Sequence, residues 1–409
     1  MRVAMVDPSL FTHEYDATLC DALGAAGHEA FLVARPPRPG EPVHPGRYTL
    51  VEHFHRGSER LRRSFPRGYQ YAKAIEHVID VMRLKRTLRR LRPDVVHFQW
   101  PVVPAVDRLA VRAIRKEWPV VLTLHNTVPF HGSPHSRAQA WGVAEFTEEF
   151  DALVIHGSYS AAALRDRHAP PMHVVTHGLM GADRRDGGDG TDGTEGADPA
   201  RHDGACAPGG VAPLRILQFG RVRSYKGVDV LVDALTCLPA AVRERVEVVV
   251  AGVPEMAVEP LRERARAAGL DGRVRWDLRF IPATEVPPLF EEADVVVLPY
   301  REVDASGVLM KAVAYDTPAI VSAVGSFPDV VTPGENGLVV PPGDAAALAS
   351  AIESLASDRE LVARLTMGMR ECRERLPGWD DVAARTVEVY EAAAERDPER
   401  TVRRRTVPA

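Results

Sequence analysis

Cysteine is scarce in this 409-residue chain: Cys20, Cys206, Cys237 and Cys372 are scattered, with no Cys-x-x-Cys pair. That usage fits reduced thiols in a cytosol. No His/Cys/carboxylate group has metal-ligand spacing, so no metal site is expected. No stretch of 18 apolar residues occurs, so no transmembrane helix is expected. The start, Met1 to Asp7, enters a strand-like run without the apolar core and cleavage site of a signal peptide, and a cytoplasmic protein is expected. A strong excess of positive charge is absent as well. The formal net charge is -5, which argues against a general nucleic-acid binder. Neither half opens on a G-x-G-x-x-G turn, which argues against a nicotinamide-dependent oxidoreductase.

What is present is an alternation of strands and helices over a length suited to roughly two to three domains. Arg2–Asp7 reads as a strand, 18–26 as a helix and Glu29–Ala34 as a second strand. This βαβ opening predicts a parallel, doubly wound sheet. Between the first strand and the helix lies a long polar loop, 7–15, at the end of the sheet where ligands bind in such folds. The segment 35–51 is rich in Pro and Gly and reads as irregular. Later strands end at or near His97, His125, His156 and His177, and together these histidines suggest a cleft wall.

From Arg56 to Arg92, twelve Lys and Arg residues face only Glu59, Glu76 and Asp80. The run reads either as a solvated helix face or as a patch for anionic lipid or a phosphorylated acceptor. Residues 179–213, with repeated Gly and Asp, read as a flexible linker, and the tail 396–409 as disordered. The second half restarts the pattern at Leu214–Phe219. Residues 345–375 read as one continuous helix, and 379–394 as a last one.

Two places in the second half suit an anion. One is Ser306-Gly307, between the apolar run 293–298 and a helix marked by Val308, Leu309, Ala312 and Val313. Free N–H groups and a positive dipole end meet there, and Gly307 permits close approach. The other is the turn 220–227, with Arg221 as a planar fork of donors and Lys226 as a point charge. Two cations and a helix end suit a diphosphate without a metal.

With these motifs in order, the chain resembles the GT-B glycosyltransferases, and within them the retaining glycosyltransferase family 4. In the second half the resemblance rests on Phe219-Gly220-Arg221 with Lys226-Gly227, Ala293-Asp294 to Pro299-Tyr300, Asp316-Thr317-Pro318 and Glu335-Asn336-Gly337. In the first half it rests on Asp94-Val95-Val96-His97, Thr123-Leu124-His125-Asn126, Val154-Ile155-His156-Gly157-Ser158 and His177-Gly178. The resemblance implies an α/β architecture of two Rossmann-like domains facing across a cleft. The expected bounds are 1–178 for an acceptor domain and 214–378 for a donor domain, with a helix at about 379–395 crossing back onto the first.

The resemblance further implies a nucleotide-diphosphate sugar as co-substrate, no cofactor, and a sugar, lipid-linked or small-molecule acceptor. It implies a metal-independent hexosyltransferase that retains anomeric configuration. His125, Arg221 and Lys226 match positions of the catalytic machinery. Gly220, Gly252, Tyr300, Glu302, Asp304, Ser306, Gly307, Val308 and Lys311 are further donor-side candidates. Ser9, His13, Tyr15 and His97 are acceptor-side candidates. The family usually carries two glutamates with seven residues between them, one near the sugar and one on the ribose. Val303 and Lys311 stand in those places here, and Glu302 and Asp304 flank the first. Two other readings stand beside the transferase: a sugar-nucleotide epimerase of the same fold, and, prompted by the missing glutamates, an inactive homologue acting as a partner subunit.

Overall fold

Valine, isoleucine and leucine dominate the runs that become strands, and such runs suit parallel strands covered on both faces. The computed structural model describes the chain except residues 39–40, 42–45, 63, 65–67, 128–142, 166–168, 182–211 and 398–409. Most of the expected linker, nearly all of the expected tail, Cys206, Arg63 and Arg67 therefore lie outside the described residues.

Seven strands form the first sheet: β1 (Arg2–Asp7), β2 (Glu29–Ala34), β3 (Tyr48–Glu52), β4 (Val95–Phe98), β5 (Val120–Leu124), β6 (Ala152–Ile155) and β7 (Met172–Val174). Their order is β3-β2-β1-β4-β5-β6-β7, all parallel. Six more form the second: β8 (Leu214–Phe219), β9 (Val246–Ala251), β10 (Val274–Asp277), β11 (Val295–Leu298), β12 (Ala319–Ser322) and β13 (Gly337–Val340). Their order is β10-β9-β8-β11-β12-β13, again all parallel. Both sheets thus reverse direction of winding beside their first strand. The switch points lie between β1 and β4 and between β8 and β11, where doubly wound sheets hold ligands beyond the strand ends. The fold is the expected pair of Rossmann-like sheets.

Three local expectations are corrected. The segment 35–51 is not wholly irregular, because Tyr48–Glu52 pairs in register with β2, Leu32 opposite Leu50. None of its five residues is fully buried, which suits an edge strand. The first helix begins at His13, five residues earlier than the periodicity suggested, and shortens the loop after β1 to 8–12. Thr12 and Asp16, linked at 3.2 Å, help close that first turn. The long helix breaks at Asp358, whose side chain accepts from Leu361 N–H at 2.8 Å and starts a new helix, Arg359–Arg375. This is ordinary N-capping by Asp.

The helix Trp379–Glu395 returns to the first sheet. It packs along the helix His13–Ala25, and Tyr390 Oη sits 2.8 Å from His97 Nδ1 on β4. One apolar cluster runs through Val3, Tyr15, Tyr390, Met369 and Tyr300 and so joins both sheets. Leu179 and Met180, read from sequence as linker, are held in this core. The Leu179 carbonyl accepts from Trp379 Nε1 at 2.7 Å, and Met180 is buried.

Candidate active site

On the second sheet, β8 delivers Gly220 at φ +101 and β9 delivers Gly252 at φ +141. A Cβ at Gly252 would lie 2.2 Å from the Gly220 carbonyl, so this glycine lets two strand ends touch. A Cβ at Gly220 would lie 2.8 Å from Lys226 Nζ and 3.5 Å from a Val308 methyl. Gly220, Lys226 and Val308 therefore enclose one point. Lys226 ends the short 3-10 turn Ser224–Lys226. Arg301 clamps that turn: its backbone N–H donates to the Tyr225 carbonyl at 2.8 Å, and its guanidinium reaches Asp229 and the Ser224 carbonyl.

Lys226 is buried, and its ammonium lies 5.2 Å from the centre of the Tyr300 ring. Among the described residues no carboxylate forms an ion pair with it. Burial lowers its pKa. An isolated buried ammonium is costly unless an anion answers it. Arg221 is different. Its side chain is 61% exposed and pairs with Glu255 at 2.8 Å, and Arg223 binds the other oxygen of the same carboxylate.

Ser306 caps the helix Gly307–Ala314, its Oγ accepting from Leu309 N–H at 3.4 Å. A Cβ at Gly307 would meet open space. The N-terminus of this helix is thus unobstructed next to Val308. The remaining donor-side candidates diverge. Asp304, a donor-side candidate, is buried and accepts from the Thr127 backbone N–H, the Thr127 hydroxyl at 3.1 Å and the Ser160 hydroxyl at 3.2 Å. Both partners belong to the first half, so this carboxylate bridges the two. Glu302 is exposed. Lys311 pairs with Glu14 of the first helix rather than standing free toward a diphosphate. A second bridge joins Ser158 Oγ to Asp329 at 3.0 Å.

On the first sheet, the strand-end histidines gather around Tyr15. Its ring lies 5.1 Å from His125, 5.4 Å from His156, 5.0 Å from His177 and 5.3 Å from Trp379. His125 stacks on Trp100 at 5.1 Å, its Nε2 is 2.9 Å from Gln99 Oε1, and its Nδ1 is 3.4 Å from His156 Nε2. Burial drives the pKa of His125 well down, and those of His156 and His177 to about 3 and about 4. These rings are neutral at pH 7 and act as hydrogen-bonding groups there.

The acceptor-side candidates separate too. Tyr15 is a buried scaffold of this cluster, not a loop residue. His97 is fully buried behind it, between Thr123 at 2.7 Å and Tyr390, with Gln99 Nε2 3.4 Å from its Nε2. Its place at a strand end hid the fact that the last helix covers it. His13 opens the first helix and is partly exposed. Ser9 accepts from Lys73 Nζ at 3.2 Å, and burial lowers Lys73 to about 8. Gln99, Trp100, Thr127, Arg301 and Glu255 escaped the sequence reading, because each acts through a partner far away in the chain. His55, Glu76 and Asp80 offer ligand atoms within 4.8 Å of one another. Their carboxylates, however, already receive the backbone N–H groups of His55, Gly57 and Ser58.

A family model described as Glycosyltransferase Family 4 matches residues 15–179, and one described as Glycosyl transferases group 1 matches residues 213–358. A D-inositol 3-phosphate glycosyltransferase of Geodermatophilus obscurus is 30% identical over 321 residues, which cover 74% of this chain and 67% of that one. A glycogen synthase of Mycobacterium tuberculosis is 28% identical over 419 residues, covering 93% of this chain and 91% of that one. Among solved structures, Anabaena HepE in complex with UDP and glucose shares the fold with a TM-score of 0.68, at 17% identity over 96% of this chain and 100% of that one. Two sheets with paired switch points, a buried cation beside an open helix end, and these matches agree: the chain belongs to glycosyltransferase family 4 and is a glycosyltransferase of the GT-B fold.

Proposed function

We propose that the protein transfers a hexosyl group from a nucleotide-diphosphate sugar to an acceptor hydroxyl, with retention at the anomeric carbon and without a metal. The observation that carries this reading is Lys226, a buried ammonium with no carboxylate partner among the described residues, beside the free N-terminus of the helix Gly307–Ala314. Both features favour the diphosphate of a donor. In the step, the bond from the anomeric carbon to the diphosphate oxygen breaks and a bond to the acceptor oxygen forms on the same face. The acceptor's proton passes to the departing diphosphate oxygen. Charge grows on the diphosphate as this happens, so Lys226 and the helix end bind the transition state more strongly than the ground state. Arg221 joins them by leaving Glu255. His125, neutral and held by Gln99, offers a hydrogen bond to the sugar or acceptor.

Neither alternative gains an observation. An epimerase needs acid and base groups on the cleft, and Asp304 is committed to Thr127 while Glu302 is exposed. An inactive homologue has no need of a buried lysine that no carboxylate pairs among the described residues. The test is incubation with a panel of nucleotide sugars and no acceptor, beginning with UDP-glucose, in excess chelator. Slow release of nucleotide from one donor supports the transferase. Isomerisation without release contradicts it, as does release that requires a divalent ion. Inositol phosphates and α-glucans are the first acceptors to add, given the relatives' names.

A further inference from the structure

The helix Tyr69–Leu91 has two unlike faces. His77, Asp80, Val81, Leu84 and Leu88 are buried against the first domain. Tyr71, Ile75, Val78, Ile79 and Met82 follow one another at i, i+4, i+7, i+8 and i+11 and form a second stripe along the helix. This stripe faces outward, with relative exposures of 76%, 65%, 38%, 41% and 77%. Single exposed apolar residues are ordinary, but five on one stripe mark a surface that meets a partner. On the following turns of the same side stand Arg83, Arg86 and Arg90, all exposed. Among the described residues no carboxylate pairs with these three. With Arg56 they line a cavity of about 650 Å³ whose wall also holds Glu52, Glu76 and Asp80. The helix holds six cations, Lys73, Arg83, Lys85, Arg86, Arg89 and Arg90, against Glu76 and Asp80, in a chain whose net charge is -5.

We propose that this helix docks the protein on an anionic lipid bilayer, its apolar stripe entering the headgroup–acyl boundary and its arginines binding lipid phosphate. Apolar residues and cations on one helical face are the combination that interfacial binding uses. A second copy of the chain fits less well, because this helix has no exposed carboxylate to answer the arginines across a two-fold contact. The helix also reaches the cleft, since Lys73 Nζ donates to Ser9 Oγ beyond the end of β1. Docking would therefore bring the acceptor side of the cleft to the lipid surface. That consequence rests on the transferase reading; the docking itself does not.

The experiment is co-sedimentation of the full chain with phosphatidylcholine vesicles and with equimolar phosphatidylcholine–phosphatidylglycerol vesicles, at rising salt. Binding should require the anionic lipid and weaken as salt rises. Ile75→Ser with Met82→Ser should lower partitioning on the order of tenfold or more. Replacing Arg83, Arg86 and Arg90 together by Ala should lower it on the order of 100-fold. Both variants should keep the wild-type melting temperature and vesicle-free donor turnover. Equal recovery on both vesicle types overturns the proposal, as does wild-type binding by the Ile75/Met82 variant. So does light scattering that finds a dimer in the wild type and a monomer in that variant. If vesicles bind while no donor is turned over, docking stands and the functional reading falls.

Discussion

The carboxylate of Asp304 accepts hydrogen bonds from both the backbone N–H and the hydroxyl of Thr127. Thr127 stands two residues beyond His125, and Asp304 two residues before Ser306. One buried carboxylate thus ties the strand end bearing the cleft histidine to the helix end proposed to hold the donor. Ser160 adds a third donor to the same group.

Removing this bridge should loosen closure while leaving each sheet intact. Hydrogen bonds to a charged group contribute about 1.5–3 kcal/mol. Asp304→Ala should therefore lower kcat/KM for transfer roughly tenfold or more. Nucleoside diphosphate binding should change little, because Lys226 and Gly307 lie outside the bridge. Calorimetric titration beside steady-state kinetics separates the two, and unchanged transfer would show that the bridge has no part in turnover.

Gly178 is held against the last helix. A Cβ there would fall 2.6 Å from the Trp379 ring, whose Nε1 is bound to the Leu179 carbonyl. Overpacking of this kind costs about 1–3 kcal/mol. Gly178→Ala should lower the melting temperature by several degrees, on the scale of about 2–4 °C per kcal/mol. Gly269, where a Cβ meets nothing within 4 Å, is an unsuitable control because its φ is +73. Gly307→Ala serves instead, since its Cβ is unobstructed and it should melt near wild type.

The buried histidines set a pH dependence of stability. His97 and His156 are pushed down to about 3 and His177 to about 4, all by burial. The unfolded chain protonates them near 6.5, so between that pH and the folded values it binds more protons than the native state. Their contribution is complete above pH 6.5 and shrinks as pH falls, by about 1.4 kcal/mol per pH unit per fully titrating group. Asp7 and Asp16 are raised by burial and act in the opposite sense, so the effect is read as a difference. Thermal melts from pH 7 to pH 5 should fall less steeply for His156→Gln than for wild type. Parallel slopes would assign the effect to other groups.

Much of this site was legible in the sequence because it lies at strand ends. Runs such as 295–298 and 214–219 fix where a parallel strand stops, and so where Ser306-Gly307 and Gly220 through Lys226 must stand. The first helix was harder. His13 to Ala17 has no strong apolar periodicity, and Tyr15 is buried by Trp379, which follows it by more than three hundred residues. His97 and Asp304 read as cleft residues for the same reason: nothing nearby in the chain announces Tyr390 or Thr127 as their partners. The edge strand Tyr48–Glu52 was masked by the Pro- and Gly-rich residues before it, and pairing with β2 decided its state.

The central claim is that the buried ammonium of Lys226 acts on the departing diphosphate, and one measurement addresses it directly. Turnover of Lys226→Ala should be compared with wild type at saturating concentration of the donor found in the panel, with circular dichroism showing both folded. Removing a preorganised group of this kind costs on the order of 10²–10³ in turnover, and a loss of that size is expected. Activity within about threefold of wild type would contradict the account, because less than 1 kcal/mol would then separate a buried cation from none at the reacting phosphate.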